Sequence, residues 1–179
     1  MKKRILSIAL VLCMLVSLVP AAALADGEAL SGSCGKNLTW KLTDGTLTVS
    51  GTGEMTDYEG KSGIPWYKYA QNITSIIVEN GVTKIGSMAF QDCVNATAVS
   101  IPASVKVIGK YSFSSCVALE SVVVPEGVET LGDHAFDRCL KLVGVSLPKS
   151  LRTIGMGAFR ACFALSDITL PYGVKTISY

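Results

Sequence analysis

The chain has 179 residues, of which 49% are apolar, and its formal net charge is +2. A length of this order predicts one domain, or one domain with a small cap. Three of the 16 basic residues and none of the 14 acidic ones lie in the first 25 positions, so the remainder carries a net charge of −1. That balance excludes the basic patch of a nucleic-acid-binding protein and the polybasic run that attracts anionic membranes.

The first predicted element is a secretory signal peptide at residues 1–25. Three basic residues follow Met1, an apolar stretch occupies residues 5–19, and a small-x-small triplet, Ala23-Leu24-Ala25, precedes Asp26. The alternative is an uncleaved membrane anchor. Because the apolar stretch of about 15 residues is shorter than the ~20 that span a bilayer, we expect cleavage before Asp26 and no stable membrane insertion afterwards.

Residues 26–72 are predicted to form an N-terminal cap that contains a β-hairpin. In LTWKLTDGTLTVSG, apolar and polar residues alternate on both sides of Asp44-Gly45, a dipeptide that favours a tight hairpin turn. Pro65 then suits the first turn of a short helix. The aromatic residues Trp40, Trp66 and Tyr67 are expected to cover the exposed core of the next structural unit, and the alternative is a carbohydrate-binding platform.

A repeat fills residues 73–179. The segment IGSMAFQDC starts at Ile85, and IGKYSFSSC, LGDHAFDRC and IGMGAFRAC start at Ile108, Leu131 and Ile154, so that the offset between successive copies is constant. Four residue types keep this offset: Gly86, Gly109, Gly132 and Gly155; Phe90, Phe113, Phe136 and Phe159; Cys93, Cys116, Cys139 and Cys162; Pro102, Pro125, Pro148 and Pro171. Four near-complete copies and a truncated fifth predict a stacked array, since one unit cannot bury its apolar residues alone.

Each unit is expected to begin with a short strand that a proline ends, because proline cannot donate a ladder hydrogen bond. In the third copy Val122 and Val124 point inwards and Pro125 follows them. Phe136 fills the centre of its coil and is predicted to be buried between Phe113 and Phe159.

The segment LGDHAFDRC contains His134, the only histidine, near Asp137 and Cys139. Cysteine, histidine and aspartate occur in nucleophilic and in metal sites, so a catalytic or metal role is one interpretation. The position of Cys139 is cysteine in every copy, whereas the positions of His134 and Asp137 vary. We therefore expect Cys139 to be a core residue and His134 a surface residue, with no catalytic, cofactor or metal site.

Five cysteines follow the signal peptide, an odd number for a secreted protein. The four repeat cysteines would be stacked neighbours, so disulfide pairing is conceivable. Their identical positions favour buried free thiols instead, and Cys34 is then left without a partner.

The repeat resembles the leucine-rich repeats of the BspA-like family of bacterial secreted and surface proteins, through the pattern IPxxVxxIGxxAFxxC. The first copy departs from it at Glu79, where proline is expected. The segment SGSCGKNLTWKLTDGTLTVSGTGEMTDY resembles the cap that precedes such arrays. The resemblance implies a right-handed, β-rich leucine-rich repeat solenoid of about five coils, located outside a bacterial cell or on its surface. It also implies adhesion to a protein or glycan ligand, host extracellular matrix included.

Strand alternation assigns two residues per coil to the exposed face of the sheet, which is the candidate ligand face. This set is small and nearly uncharged: Ser75 and Ile77, Ala98 and Ser100, Ser121 and Val123, Gly144 and Ser146, Asp167 and Thr169. Ligand binding through it is predicted to be weak per coil and weakly salt-dependent.

The chain stops inside the fifth unit, where Ser178 occupies the usual glycine position, and this favours a fragment of a longer protein. Three functional classes remain: a non-catalytic binding or adhesion module, a targeting module for a larger secreted enzyme, and a structural spacer. The sequence contains no phosphate-binding loop, recurring acid pair or nucleophile with a base, so we do not expect an enzyme.

Overall fold

The computed structural model describes residues 30–178, and the predicted signal peptide lies outside them. The described chain begins with four strands, β1 (Leu30–Gly35), β2 (Leu38–Thr43), β3 (Thr46–Gly51) and β4 (Gly53–Glu54). Two short 3₁₀ helices follow, at Lys61–Gly63 and at Tyr67–Asn72, and the second is called the cap helix below.

The predicted hairpin is present. Strands β1, β2 and β3 are antiparallel neighbours, and Thr43 pairs with Thr46 across the turn. Asp44 and Gly45 have φ angles of 47° and 75°, which is the left-handed conformation that a type I′ turn requires at both central residues. The alternation holds as well, since Leu38 and the other apolar residues of β2 face the core and the polar ones face solvent.

Each of the first four repeat units supplies a short strand to each of two sheets, and the last unit supplies one only to the second. The first sheet receives β5 (Ser75–Val78), β7 (Ala98–Ser100), β9 (Ser121–Val123) and β11 (Gly144–Ser146), with a break in the ladder between β7 and β9, so that β9 and β11 pair only with each other. The second receives β6 (Val82–Ile85), β8 (Val107–Ile108), β10 (Thr130–Leu131), β12 (Thr153–Ile154) and β13 (Thr176–Ile177). All ladders between these repeat strands are parallel, and the paired residues occupy the same position in successive copies, as Thr130 and Thr153 do. The result is the predicted β-rich solenoid, with about four turns.

The cap continues both sheets of the solenoid. Strand β3 pairs with β5 in parallel, so that Thr46 lies beside Ser75 and Val49 beside Val78. Strand β4 pairs with β6 in the second sheet. The cap therefore covers the first coil through backbone hydrogen bonds as well as through side chains.

A column of stacked aromatic rings forms the centre of the core. Neighbouring ring centroids lie 5.8 Å apart for Trp66 and Phe90, 5.2 Å for Phe90 and Phe113, 5.1 Å for Phe113 and Phe136, and 5.6 Å for Phe136 and Phe159. Phe136 is fully buried, as predicted. Trp66 is buried at the head of the column and donates its indole N–H to the Ala89 carbonyl at 2.8 Å, which confirms its covering role.

The glycine before each turn is required by close approach between coils. A Cβ on Gly132 would lie 2.6 Å from the Lys110 backbone nitrogen, well inside van der Waals contact. The short distance between the coils also allows a hydrogen bond, in which Gly132 donates its N–H to the Ile108 carbonyl at 2.8 Å.

Candidate functional site

The candidate ligand face lies on the first sheet, where strand pairing aligns the predicted residues of successive coils. Ser75 lies opposite Ala98 and Ile77 opposite Ser100 in the ladder of β5 and β7. Ser121 lies opposite Gly144 and Val123 opposite Ser146 in the ladder of β9 and β11. Strands β7 and β9 contact each other without a registered ladder, so the four strands form one continuous surface.

None of the ten predicted face residues is buried. The side chains between them, such as Ile76 and Val122, face the core instead. Two apolar face residues are clearly accessible, with Ile77 exposed to 37% and Val123 to 67%. The eight face residues on strands carry no charge, as the sequence predicts. This surface could contact a ligand through small hydroxyls and two apolar side chains, and no catalytic group is present on it.

The fifth predicted pair departs from the pattern. Asp167 and Thr169 are exposed, but the segment around them forms no strand and makes no described backbone hydrogen bond to β11. A groove of about 410 Å³ lies there instead, between β11 and the segment of Asp167 and Thr169. Among residues 30–178 this segment has a neighbouring coil on one side only, so it lacks the second ladder that holds the inner strands.

The structure extends the face into the cap, which the sequence interpretation missed. In the β3–β5 ladder, Thr46 aligns with Ser75 and Thr48 with Ile77, on the side that is not buried. Strand β2 continues the surface with Thr39, Lys41 and Thr43, all exposed. The sequence does indicate this extension, because these polar residues alternate with the buried ones of LTWKLT and TLTVSG. We call the cap residues together with the predicted strand residues the polar strip.

The segment LGDHAFDRC requires a correction, because His134 is buried and only 7% exposed. Its ring stacks on Tyr111 at a centroid distance of 4.8 Å and an interplanar angle of 4°. Its other neighbour is Gly157, where a Cβ would lie 2.7 Å from His134 Cε1. At this variable position the His134 side chain thus packs between neighbouring coils and does not face solvent.

Asp137 is also buried, with 3% exposure, although its position varies between copies. Arg160 of the next coil donates two hydrogen bonds of 2.9 Å to its carboxylate, from Nε and from an Nη atom. The ion pair raises the pKa of Arg160. Asp137 and His134 therefore serve packing between coils, and no group of three His, Cys, Asp or Glu side chains within residues 30–178 could hold a metal ion.

Cys139 is a core residue, as predicted, and belongs to a ladder of thiols. Cys116, Cys139 and Cys162 donate to the carbonyls of Phe90, Phe113 and Phe136 in the preceding coil, at 3.3, 3.3 and 3.1 Å. All five described cysteines are buried and free, Cys34 included. Burial raises the pKa of Cys34 to about 11 and that of Cys93 to about 12. A thiol held protonated in this way is a poor nucleophile.

Residues 65–179 match six copies of the BspA-type leucine-rich repeat region. The chain belongs to this family. The matched stretch starts inside the predicted cap, which fits the position of Trp66 in the aromatic column. Among proteins of curated function, none matches this chain in sequence.

Solved structures of bacterial leucine-rich repeat proteins are similar to this BspA-type chain. A leucine-rich repeat protein from Eubacterium ventriosum is 32% identical with a TM-score of 0.75, and the similarity covers 84% of this chain and 40% of that one. The T. pallidum leucine-rich repeat protein is 29% identical with a TM-score of 0.59, over 82% of this chain and 64% of that one. The chain thus spans less than two thirds of either relative.

A leucine-rich cell surface protein from Faecalibacterium prausnitzii has the same fold, with 24% identity and a TM-score of 0.51 over 86% of this chain and 52% of that one. No helix within residues 30–178 is long and apolar enough to cross a membrane. Together with the family match, the two more similar structures show that the chain is a leucine-rich repeat protein of the BspA type.

Proposed function

We propose that this chain is a secreted or surface-displayed, non-catalytic adhesion module that binds a protein or glycan ligand through the polar strip. The observation that carries the proposal is the register of the strip, in which Ser75 and Ala98, then Ser121 and Gly144, stand beside one another on successive coils. A solenoid sheet of this kind offers a long, flat surface to a ligand. A cell-surface description of one structural neighbour supports the location.

The chemistry of the strip favours weak contacts that add up along the array. It lacks the Trp, Tyr and Arg side chains that usually contribute most of the affinity of protein interfaces. Hydroxyls and the apolar side chains of Ile77 and Val123 supply hydrogen bonds and a modest apolar area instead. Useful avidity would then come from many coils or many copies on a surface.

The state of the thiols supports a non-catalytic role. Burial raises the pKa of Cys93 to about 12, and the thiol of Cys116 donates to a backbone carbonyl. Neither thiol is exposed to a substrate. Within residues 30–178 the only histidine is buried against Tyr111, away from the strip.

The test replaces Ser100, Ser121 and Ser146 together by arginine, which covers the strip with long cationic side chains. Binding of residues 26–179 to immobilised extracellular matrix proteins and to a glycan array is then measured at two salt concentrations. We expect the substitutions to weaken binding at least tenfold, and we expect wild-type binding to change little with salt.

A matched control adds the same three charges elsewhere, through arginine at the exposed positions Thr83, Ala103 and Met156. The control should bind as the wild type does. If the strip variant folds and its binding also stays unchanged, the polar strip is not the ligand face.

A further inference from the structure

A recess of about 530 Å³ lies where the cap helix meets the first coil, and none of its lining residues belongs to the polar strip. Five residues of the cap helix and two of the coil line it: Tyr67, Lys68, Ala70, Gln71 and Asn72, and Asp92 and Val94. This volume is within the range of small-molecule sites. The lining combines one aromatic ring, two amides, one carboxylate, one lysine and two small apolar side chains.

Tyr67 packs against the edge of the core, but its position departs from the repeat pattern. When the repeat offset is extended back into the cap, Tyr67 corresponds to Phe90, Phe113 and Phe136, which are fully buried in the aromatic column. Trp66 fills that column instead and stacks on Phe90. Tyr67 is thereby displaced to the surface, where it remains half-buried and borders the recess.

The Tyr67 ring is held in a fixed orientation. Its hydroxyl donates to Asp92 Oδ2 at 3.1 Å, and the Lys61 ammonium lies 2.6 Å from the same oxygen. Lys61 approaches the ring from a smaller neighbouring recess, which it lines together with Tyr67, and it does not line the larger one. The larger recess therefore has a preorganised aromatic wall, which lowers the entropic cost of binding.

The carboxylate of the recess is paired, and the ammonium of Lys68 lies over the Tyr69 ring, which favours a neutral ligand. Lys61 pairs with Asp92, and the ammonium of Lys68 lies 4.8 Å from the Tyr69 ring centroid, on the side of another recess that both residues line. The side-chain amides of Gln71 and Asn72 make no hydrogen bond to other described residues. They can donate to and accept from a ligand that carries hydroxyls on several sides.

We propose that this recess binds one neutral hexose unit of a glycan. The apolar face of the sugar would contact Tyr67, Ala70 and Val94, and its hydroxyls would bond to Gln71, Asn72 and Asp92. The site is independent of the polar strip, so either can fail without the other.

The test is a titration of ¹⁵N-labelled residues 26–179 with free neutral hexoses and N-acetylhexosamines, followed by NMR. We expect saturable shifts of the Ala70, Gln71, Asp92 and Val94 amide signals, with a Kd on the order of 1 mM for a ligand of this size. Tyr67→Ala should weaken binding at least tenfold. Tyr67→Phe retains the ring and loses the bond to Asp92, so it should weaken binding less.

Tyr172→Ala is the matched control, because Tyr172 is fully exposed and distant from the recess in the chain. It should bind the sugars as the wild type does. The absence of saturable shifts with every sugar up to about 100 mM, or equal binding by a folded Tyr67→Ala variant, would overturn the proposal.

Discussion

Single residues in this solenoid are selected by backbone conformation as much as by polarity. Two positions in every turn have a left-handed backbone, with φ between 55° and 63°: Met88, Tyr111, His134 and Gly157, and Asp92, Ser115, Arg138 and Ala161. Such a conformation is unfavourable for residues other than glycine. It persists because hydrogen bonds to the next coil fix it, for example from the His134 N–H to the Met156 carbonyl at 2.8 Å.

The contact between His134 and Gly157 predicts a coupled pair of substitutions. His134→Ala removes a buried, stacked ring and should destabilise the protein by about 1–3 kcal/mol, and not by the small amount expected for a surface residue. Gly157→Ala should cost about 1–2 kcal/mol for the left-handed conformation, with the clash against His134 in addition. In the double variant the clash is absent, so urea denaturation should show a coupling of at least about 0.5 kcal/mol. If the stability losses of the two single variants add up in the double variant, His134 and Gly157 are not in contact.

Truncation of the Phe136 side chain is predicted to cause a large loss of stability. Phe136→Ala removes a fully buried side chain between two stacked rings and should destabilise the protein by about 3–5 kcal/mol. Phe159 is only partly buried, so Phe159→Ala should cost less and serves as the comparison. A thermal midpoint of Phe136→Ala equal to that of the wild type would show that the rings do not stack in this register.

Most of the buried thiols should be protected from chemical modification only while the protein is folded. The five described cysteines are buried and free, and burial raises the pKa of Cys93 to about 12. A thiol reagent at pH 8 should therefore leave Cys34, Cys93, Cys116 and Cys139 unmodified in the folded protein. Cys162 should react first, because a hydrogen bond with Cys139 lowers its pKa, and all five should react after denaturation without reductant. Fewer than five reactive thiols in the denatured protein would indicate a disulfide.

At the scale of the elements, carboxylates connect some neighbouring turns. Glu126 accepts the Lys149 N–H at 3.0 Å, and Asp133 accepts the Met156 N–H at 2.9 Å. Asp57 plays the same part between cap and first coil, where it accepts the Ser87 N–H at 2.8 Å and contacts Lys84 Nζ at 2.5 Å. These contacts satisfy backbone donors that the short strands leave unpaired.

Asp57 predicts an acid-sensitive connection between cap and solenoid. Partial burial opposes ionisation, but the hydrogen bonds from Lys84 and Ser87 prevail and lower the pKa of Asp57. Its contribution is therefore fully present above the unfolded-state pKa of about 4, and it is lost as the pH falls through the lower folded value. Asp57→Asn should reduce stability at pH 7 by about 0.5–1.5 kcal/mol and flatten the acid side of the stability profile. Glu59→Gln, in the same loop, should leave both unchanged.

The sequence predicted the elements whose partners are identical in every copy. The alternation around Asp44-Gly45 and the constant offset between copies determine the hairpin, the Phe136 stack and most of the polar strip. His134 was predicted wrongly, because variability at a position suggests solvent, whereas this side chain has a left-handed backbone and stacks on Tyr111 of the preceding coil. The recess at Tyr67 could not be predicted either, because the sequence does not show which of two adjacent aromatic residues enters the column.

At the scale of the whole molecule, the two ends of the described solenoid differ. The cap adds strands to both sheets and places Trp66 over Phe90. At the other end Phe163 is 84% exposed, and the large apolar residues Leu170, Tyr172 and Ile177 are also exposed. Because each coil of a solenoid is stabilised mainly by its neighbours, stability should decrease from the cap towards the last coil.

This asymmetry predicts a gradient of amide hydrogen exchange in residues 26–179. Amides of β5 and β6 have a ladder on both sides and should exchange only through global unfolding, whereas residues 163–178 should exchange through local opening. The segment around Asp167 makes no described ladder bond, so its amides should be the fastest. Trp66→Ala should have the opposite effect, because it removes the ring that covers the aromatic column at the cap. It should lower the protection of the β5 and β6 amides selectively. Uniform protection, with one free energy of opening for the amides of all coils, would contradict this prediction. It would mean that the array unfolds as a single cooperative unit and that further contacts stabilise the exposed apolar end.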